Sequence, residues 1–247
     1  MLRKNLHADL LKMKGLSITL AHILIPVITS GVFLAYYAVS SWNENTKIIA
    51  FHQAVGAGFP VLIGIFTACI MEQEQNAGAY QNLLTLRKKT TAFLSKVILL
   101  LIFSLFSVFL AAGIFCFGFH KILGCSTVST GTYMMTVFVM WCGSIPLYIW
   151  QMLLAFRFGK GVSIGVGIIS GLVSALMLTN LGMYVWKYIP VSWTGRLPYT
   201  YLQTAFGEPG AIDEMKSVIP VFCVFTVITM VYYLLWASRW EGSKISE

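Results

Sequence analysis

Apolar positions along this chain gather into six runs of about twenty residues, divided by short segments that hold nearly all of the charge. The charge-poor stretches cover residues 16–40, 49–71, 97–119, 133–156, 161–185 and 218–237. An α-helix rises 1.5 Å per residue, so about twenty residues cross the roughly 30 Å hydrocarbon layer of a bilayer. A helix also satisfies its own backbone N–H and C=O groups where no water can. The pattern predicts an all-α membrane protein with six transmembrane helices. Residues 1–247 then form a single transmembrane domain with no soluble domain attached. The first run is longer than the apolar core of a signal peptide and five similar runs follow it, which predicts a retained helix.

Six crossings place both termini on one side, and the basic residues say which. The N-terminal segment (Arg3, Lys4, Lys12, Lys14), the second loop (Arg87, Lys88, Lys89, Lys96), the fourth loop (Arg157, Lys160) and the tail (Arg239, Lys244) share one face. The opposite face has Lys47, Lys121, Lys187, Arg196 and Lys216. Lys and Arg accumulate on cytoplasmic loops, so both termini are expected in the cytoplasm, in a multi-pass protein of the cell membrane. The net charge of +8 follows from this topology and needs no nucleic-acid partner. With 57% hydrophobic and 11% charged residues, the chain is far too apolar for an ordinary soluble domain.

In residues 1–15, Leu2, Leu6, Leu10 and Met13 recur at near-helical spacing while Lys4 and Lys12 point elsewhere. This is the pattern of an amphipathic helix lying on the inner leaflet with membrane lipid as its partner; the alternative is a frayed basic leader.

The spans contain no Asp or Glu, and His22 and His52 are their candidate polar sites, either functional or bonding across a helix interface. Gly161 with Gly165 and Gly167 with Gly171 form two GxxxG pairs that permit close helix approach. Pro26, Pro60 and Pro146 each remove a backbone donor and favour a kink; Gly56 and Gly58 make the second span the first candidate for flexing. Five cysteines without CxxC spacing indicate neither a zinc site nor a disulfide framework, though a Cys116–Cys125 bridge outside is conceivable. No metal site or bound cofactor is expected.

Two loops are long. In the cytoplasmic one, Tyr80, Leu83 and Leu84 at i, i+3, i+4 predict a short surface helix. Its apolar stripe is either a lid over the bundle end or a knob docked into another protein. The external loop carries Trp186, Tyr188, Trp193, Tyr199, Tyr201 and Phe206. It is either an aromatic belt at headgroup depth or a re-entrant or interfacial hairpin guarding an exit, with Trp193 and Arg196 as candidate gate residues.

Glu72, Glu74, Gly78, Leu83, Leu84, Arg87 and Lys96 resemble the E-x-E-x-x-x-G, L-L, R and S-K pattern between helices two and three of type-2 ABC-exporter permeases. That resemblance implies a non-catalytic permease whose segment 75–86 is the coupling helix seated in a nucleotide-binding subunit. Glu72, Glu74, Gly78, Tyr80, Leu83, Leu84 and Arg87 would then serve the contact. Chain size, the Ile189–Trp193 segment IPVSW, Arg196 and Leu197 are most similar to lantibiotic self-immunity permease subunits of the LanE/LanG type. The implied partners are a dimeric ATP-binding cassette subunit carrying ATP and Mg, and a second related permease or another copy of this chain. The implied cargo is a lantibiotic or similar antimicrobial peptide, in a Gram-positive bacterium.

The sequence contains no GxxxxGK[ST] phosphate loop; Phe158–Ser163, FGKGVS, lacks the spacing that lets backbone amides cradle phosphates. With no acid in the spans for proton or sodium coupling either, a separate ATP-hydrolysing partner is the simplest source of energy. Two rival readings remain. One is a type-2 permease for another amphiphile, a drug or a lipid; the distant one is an intramembrane hydrolase using Glu72 and Glu74.

Overall fold

The computed structural model describes residues 2–13, 17–86, 88–125 and 127–242. Lys14, Leu16, Arg87 and Lys244, on which parts of the sequence reading rest, lie outside the described residues. Among the described residues the elements are helical, and six helices are long and apolar enough to cross a membrane. Helix α1 (Leu2–Met13) precedes them. The six are α2 (Ser17–Val39), α3 (Glu44–Asn76), α5 (Lys89–Lys121), α6 (Thr130–Phe158), α7 (Lys160–Met177) and α9 (Ala211–Arg239). Two short helices, α4 (Gln81–Leu84) and α8 (Trp193–Ala205), lie between them.

Helix length decides what stands outside the bilayer. At 33 residues each, α3 and α5 run about 50 Å and overshoot the hydrocarbon layer by about 20 Å. Their overshoot carries the α3–α5 connection clear of the membrane on the face with the basic loops. By contrast α7 has 18 residues and is about 27 Å long. The fifth span therefore ends at Met177, eight residues before the expected 185, and the chain continues through three short 3-10 turns between Asn180 and Ser192. The stop has a local cause. Thr179 accepts from the Leu181 amide, and the Arg196 guanidinium donates to the carbonyls of Met177 and Thr179, satisfying backbone acceptors that further helix would have used.

The bundle is built around α3, which packs on α7, α6 and α8. Its contact with α7 relies on missing side chains. A Cβ on Gly64 would lie 2.7 Å from the Ser163 carbonyl oxygen and 2.8 Å from Gly167 Cα, and one on Gly167 would lie 3.0 Å from Gly64 Cα. Thr67 and Ser163 bond to each other and to the Gly64 carbonyl across this seam. Of the two GxxxG pairs, Gly167 and Gly171 are thus internal, whereas Gly161 and Gly165 face open space.

After the 3-10 turns α8 folds back among α3, α6 and α9. Trp193, Thr194, Gly195, Arg196, Leu197 and Pro198 are all buried there. Pro198 cannot donate to the Thr194 carbonyl four residues earlier. That freed oxygen sits against Gly56, where a Cβ would come within 2.3 Å. The centre of the aromatic loop is therefore packed into the bundle. All five cysteines are free, and Cys116 approaches His120 and Thr130.

Replacing Gly167 with Leu is expected to destabilise the α3–α7 seam by about 1–3 kcal/mol or more, through overpacking. The same change at Gly165 should stay within about 0.5 kcal/mol. Thermal unfolding in detergent, with both variants beside the parent, checks this difference.

Candidate functional site

The α3–α5 connection lies at the overshooting ends of two 33-residue helices. Rather than one helix over 75–86, it is a hairpin tip. Helix α3 runs on through Asn76, three residues then take positive φ, and one helical turn, α4, follows. Gly78 at φ 117 costs nothing, but Ala79 at 49 and Tyr80 at 66 each hold a conformation disfavoured by about 1–2 kcal/mol for L-residues. Packing fixes them. The Tyr80 hydroxyl donates to Met71 Sδ at 2.9 Å, and its ring meets Trp240 and Phe156 edge-on or tilted. The amides of Ala77, Ala79 and Tyr80 close on the carbonyls of Gln73, Gln75 and Glu74, so the end of α3 is capped by its own turn.

This geometry assigns the apolar stripe. Tyr80 and Leu83 are buried and Leu84 is half-buried, all against the aromatic cluster of Phe93, Phe156 and Trp240 at the bundle end. They act as a lid. The surface facing away is a different set: Gln75, Asn76, Ala77, Ala79, Gln81, Asn82, Thr85 and Leu86. Arg87 lies outside the described residues.

Beneath the tip is a buried ionic knot. Lys96 Nζ lies 2.6 Å from Glu74 Oε1 and 2.9 Å from Asp9 Oδ1, and Lys12 Nζ reaches the same Glu74 oxygen at 2.7 Å. Ser95 donates to the other Asp9 oxygen, and Gln73 Nε2 donates to the Lys12 carbonyl at 2.9 Å, capping α1. Glu74 Oε2 is buried and has no partner among the described residues. Burial alone would raise the Glu74 pKa, but the Lys96 and Lys12 ammonium groups outweigh it and hold the carboxyl below its usual range. Glu72, two residues earlier, faces the other way and grips Lys160 at the start of α7 with both oxygens at 2.8 Å. That exposed pairing raises the Lys160 pKa, chiefly through the hydrogen bond to Glu72. Glu72, Glu74, Leu83 and Lys96 thus fasten the hairpin to α1, α5, α7 and the bundle end, while Gly78 supplies the turn.

Helix α1 differs from its sequence reading. Asp9 and Met13 are its buried residues, Lys12 points inward to Glu74, and Leu10 is 46% exposed. The face against the protein mixes the apolar Leu6 and Met13 with the ionic Asp9 and Lys12. Asp9 was missed, although it falls three residues after Leu6 and four before Met13, an acid set within an apolar stripe.

The remaining candidates lie apart from the hairpin. His22 and His52 each use Nδ1 on the carbonyl four residues back, Ile18 and Ile48, at 2.8 Å. They stand on different helices, α2 and α3, and no bond joins them. Trp193 is fully buried, donating to the Lys187 carbonyl at 3.1 Å, and Arg196 is 8% exposed and occupied with the end of α7. Both side chains hold α8 in place, and neither presents a surface outside. Among the described residues no group of His, Cys, Asp or Glu is arranged to hold a metal ion.

Lys96→Met removes one member of a buried network and leaves Glu74 with Lys12 alone and Asp9 with Ser95 alone; a loss of about 3–5 kcal/mol is expected, with α1 exchanging its amide hydrogens faster. A carboxyl with a depressed pKa stabilises above its ordinary value near 4.5, and that contribution is lost as pH falls through the lowered value. Acid should therefore loosen α1 in the parent, and the acid-dependent part should shrink in Glu74→Gln. Hydrogen exchange of residues 2–13 across the acid range reads both effects.

A family model described as ABC-2 family transporter protein matches residues 6–176. Comparison with curated proteins and with solved structures finds no match. The family match runs from within α1 to the last turn of α7 and takes in the ionic knot and the hairpin. The chain belongs to the ABC-2 transporter family, as a multi-pass membrane subunit of a type-2 ABC transporter.

Proposed function

We propose that the cytoplasmic hairpin receives a separate ATP-binding cassette subunit, and that the assembly expels lantibiotic or similar antimicrobial peptides from the membrane. One observation carries the docking part. The hairpin tip is a strained turn pinned by buried groups, yet its outer surface is small and exposed, polar at Gln81, Asn82 and Thr85 and apolar at Leu86. A motor subunit needs a handle that transmits displacement instead of absorbing it. The links from Glu74 to α1 and α5, and from Glu72 to α7, tie this handle to three helices.

Docking then uses the outward face, and Leu83 supports it from beneath. ATP and Mg belong to the partner subunit, and this chain supplies none of the hydrolytic groups. Glu72 and Glu74, the carboxylates a hydrolase would need, are both held by lysines at the cytoplasmic end. A second permease subunit, related or identical, would cover part of the exposed apolar faces of α2, α7 and α9.

The peptide cargo rests on the resemblance of the IPVSW segment, Arg196 and Leu197 to self-immunity permeases. A drug or a lipid is the competing cargo. The mechanism asks of this chain that its hairpin move with the ATPase and that α3 carry the motion into the bilayer.

Changing Gln81 and Leu86 together to Arg should cut co-purification of the ATPase subunit by at least about tenfold while membrane insertion stays intact. Leu83→Asp should lower both, since it unseats the lid. Undiminished capture by the Arg variant would reject the docking face. For the cargo, expression with the partner subunits in a sensitive Gram-positive host should raise the lantibiotic concentration needed for killing; unchanged killing beside raised tolerance to another amphiphile would reassign it.

A further inference from the structure

Helix α1 is fastened to the bundle by one face and leaves the other open. Asn5 Nδ2 donates to Thr91 Oγ1 at 3.2 Å, and four residues later on each helix Asp9 meets Ser95 and Lys96, so α1 and the start of α5 run side by side in the same direction. Lys96 immediately precedes the charge-free run of α5, residues 97–119, which places Asp9 and the residues just after it at the edge of the hydrocarbon layer. The N-terminal end of α1 then stands outside that edge, among the headgroups.

The open face changes character along this axis. Arg3, His7 and Leu10 form one exposed row at i, i+4 and i+7, with Lys4 and Leu11 in the row beside it. Leu10 and Leu11, 46% and 57% exposed, lie at the hydrocarbon edge. Arg3 and Lys4 lie about 10 Å further out along the helix, where side chains of their length reach the phosphate layer. An open hollow of about 670 Å³ follows this face, lined by Arg3, Lys4, Leu6, His7 and Leu10.

The positive charge here is uncompensated. Asp9 of α1 and Glu74 beneath it are spent on Lys96 and Lys12 in the knot, and Glu72 is spent on Lys160. Among the described residues no carboxylate pairs with Arg3 or Lys4. Two acids against two lysines leave the knot neutral, so the open face keeps its own field. The knot also fixes the roll of α1, which holds both cations in place before a ligand arrives.

We infer that the open face of α1 is a binding site for an anionic phospholipid of the cytoplasmic leaflet, its phosphate between Arg3, Lys4 and His7 and its acyl chain along Leu6, Leu10 and Leu11. Exposed leucines alone would accept any lipid, and exposed cations alone any anion. Cations placed outward of leucines on one face match a molecule with a charged head and a hydrocarbon tail. The periodicity of Leu2, Leu6, Leu10 and Met13 points to a different face, one with no preference for lipid charge. The site rests on α1 and its knot, and depends on neither the docking face nor the cargo.

The test uses the full chain in phosphatidylcholine nanodiscs doped with one of two photoreactive lipids, a phosphatidylglycerol or a phosphatidylcholine bearing the same diazirine near the head of one acyl chain. After irradiation, mass spectrometry maps the labelled residues. Phosphatidylglycerol is expected to label the stretch from Leu6 to Leu11 about tenfold more than phosphatidylcholine, as two cations beside an anionic headgroup imply at moderate salt. Arg3→Gln with Lys4→Gln should equalise the two labels by lowering only the phosphatidylglycerol one, whereas Leu10→Gln with Leu11→Gln should weaken both. Inorganic phosphate at matched ionic strength should leave the labelling unchanged. Equal labelling of the unaltered chain by the two lipids would overturn the inference without recourse to any variant. Displacement by inorganic phosphate would overturn it as well, as would a preference that survives Arg3→Gln with Lys4→Gln in protein that elutes as the parent does.

Discussion

A lysine ammonium enclosed by two carboxylates is the constraint on which the cytoplasmic half of this protein depends. Lys96 belongs to α5, Asp9 to α1 and Glu74 to α3, so one buried cation joins three elements distant in sequence. A charge taken out of water is tolerated only when paired and hydrogen-bonded, so the three helices have little freedom to separate. Such a knot contributes less to net stability than its short distances suggest, because desolvation offsets most of the attraction. Its effect is on specificity of arrangement: few alternative packings can bring two acids, two lysines and a serine together.

The knot also explains how a hairpin tip with two non-glycine residues at positive φ persists. Tyr80 is held by Met71, Phe156 and Trp240, and Glu74 fixes the helix that leads into the turn. Strain at a loop is maintained when surrounding packing over-determines it, and strained, well-supported turns concentrate at functional sites. In an ABC-2 family membrane subunit this is where force from outside would be received. In the proposed assembly, α3 and α5 would carry it inward because they are long helices that overshoot the bilayer, and the tight Gly64–Gly167 contact links α3 to α7 without side chains between.

The external half follows a different logic. Arg196, Trp193 and Trp186 belong in sequence to an aromatic loop read as a belt or a hairpin, and in the structure each spends its polar atoms on neighbours, Trp186 on Glu214 of α9, Trp193 on the Lys187 carbonyl and Arg196 on the end of α7. The Arg196 guanidinium beside the final carbonyls of α7 also opposes the negative end of the helix dipole. A short fifth helix and an α8 packed into the bundle are two sides of one arrangement, since the carbonyls left by the early stop are the ones Arg196 satisfies.

Six spans, the helical class and the sidedness of charge were legible in the sequence, because hydrocarbon imposes a length and a polarity that local composition must meet. The hairpin was legible as a motif, Glu72 to Lys96, but not in the direction its side chains face. Periodicity marks Tyr80, Leu83 and Leu84 as one stripe and cannot say whether that stripe turns toward the bundle or away from it. Asp9 was invisible for a related reason: its partner lies 87 residues away, and a lone acid in a basic leader carries no local signal. Which GxxxG pair is internal, where α7 ends, and which way Trp193 and Arg196 point are questions about the neighbours a residue meets. Those depend on long-range packing, and only the tertiary structure decided them.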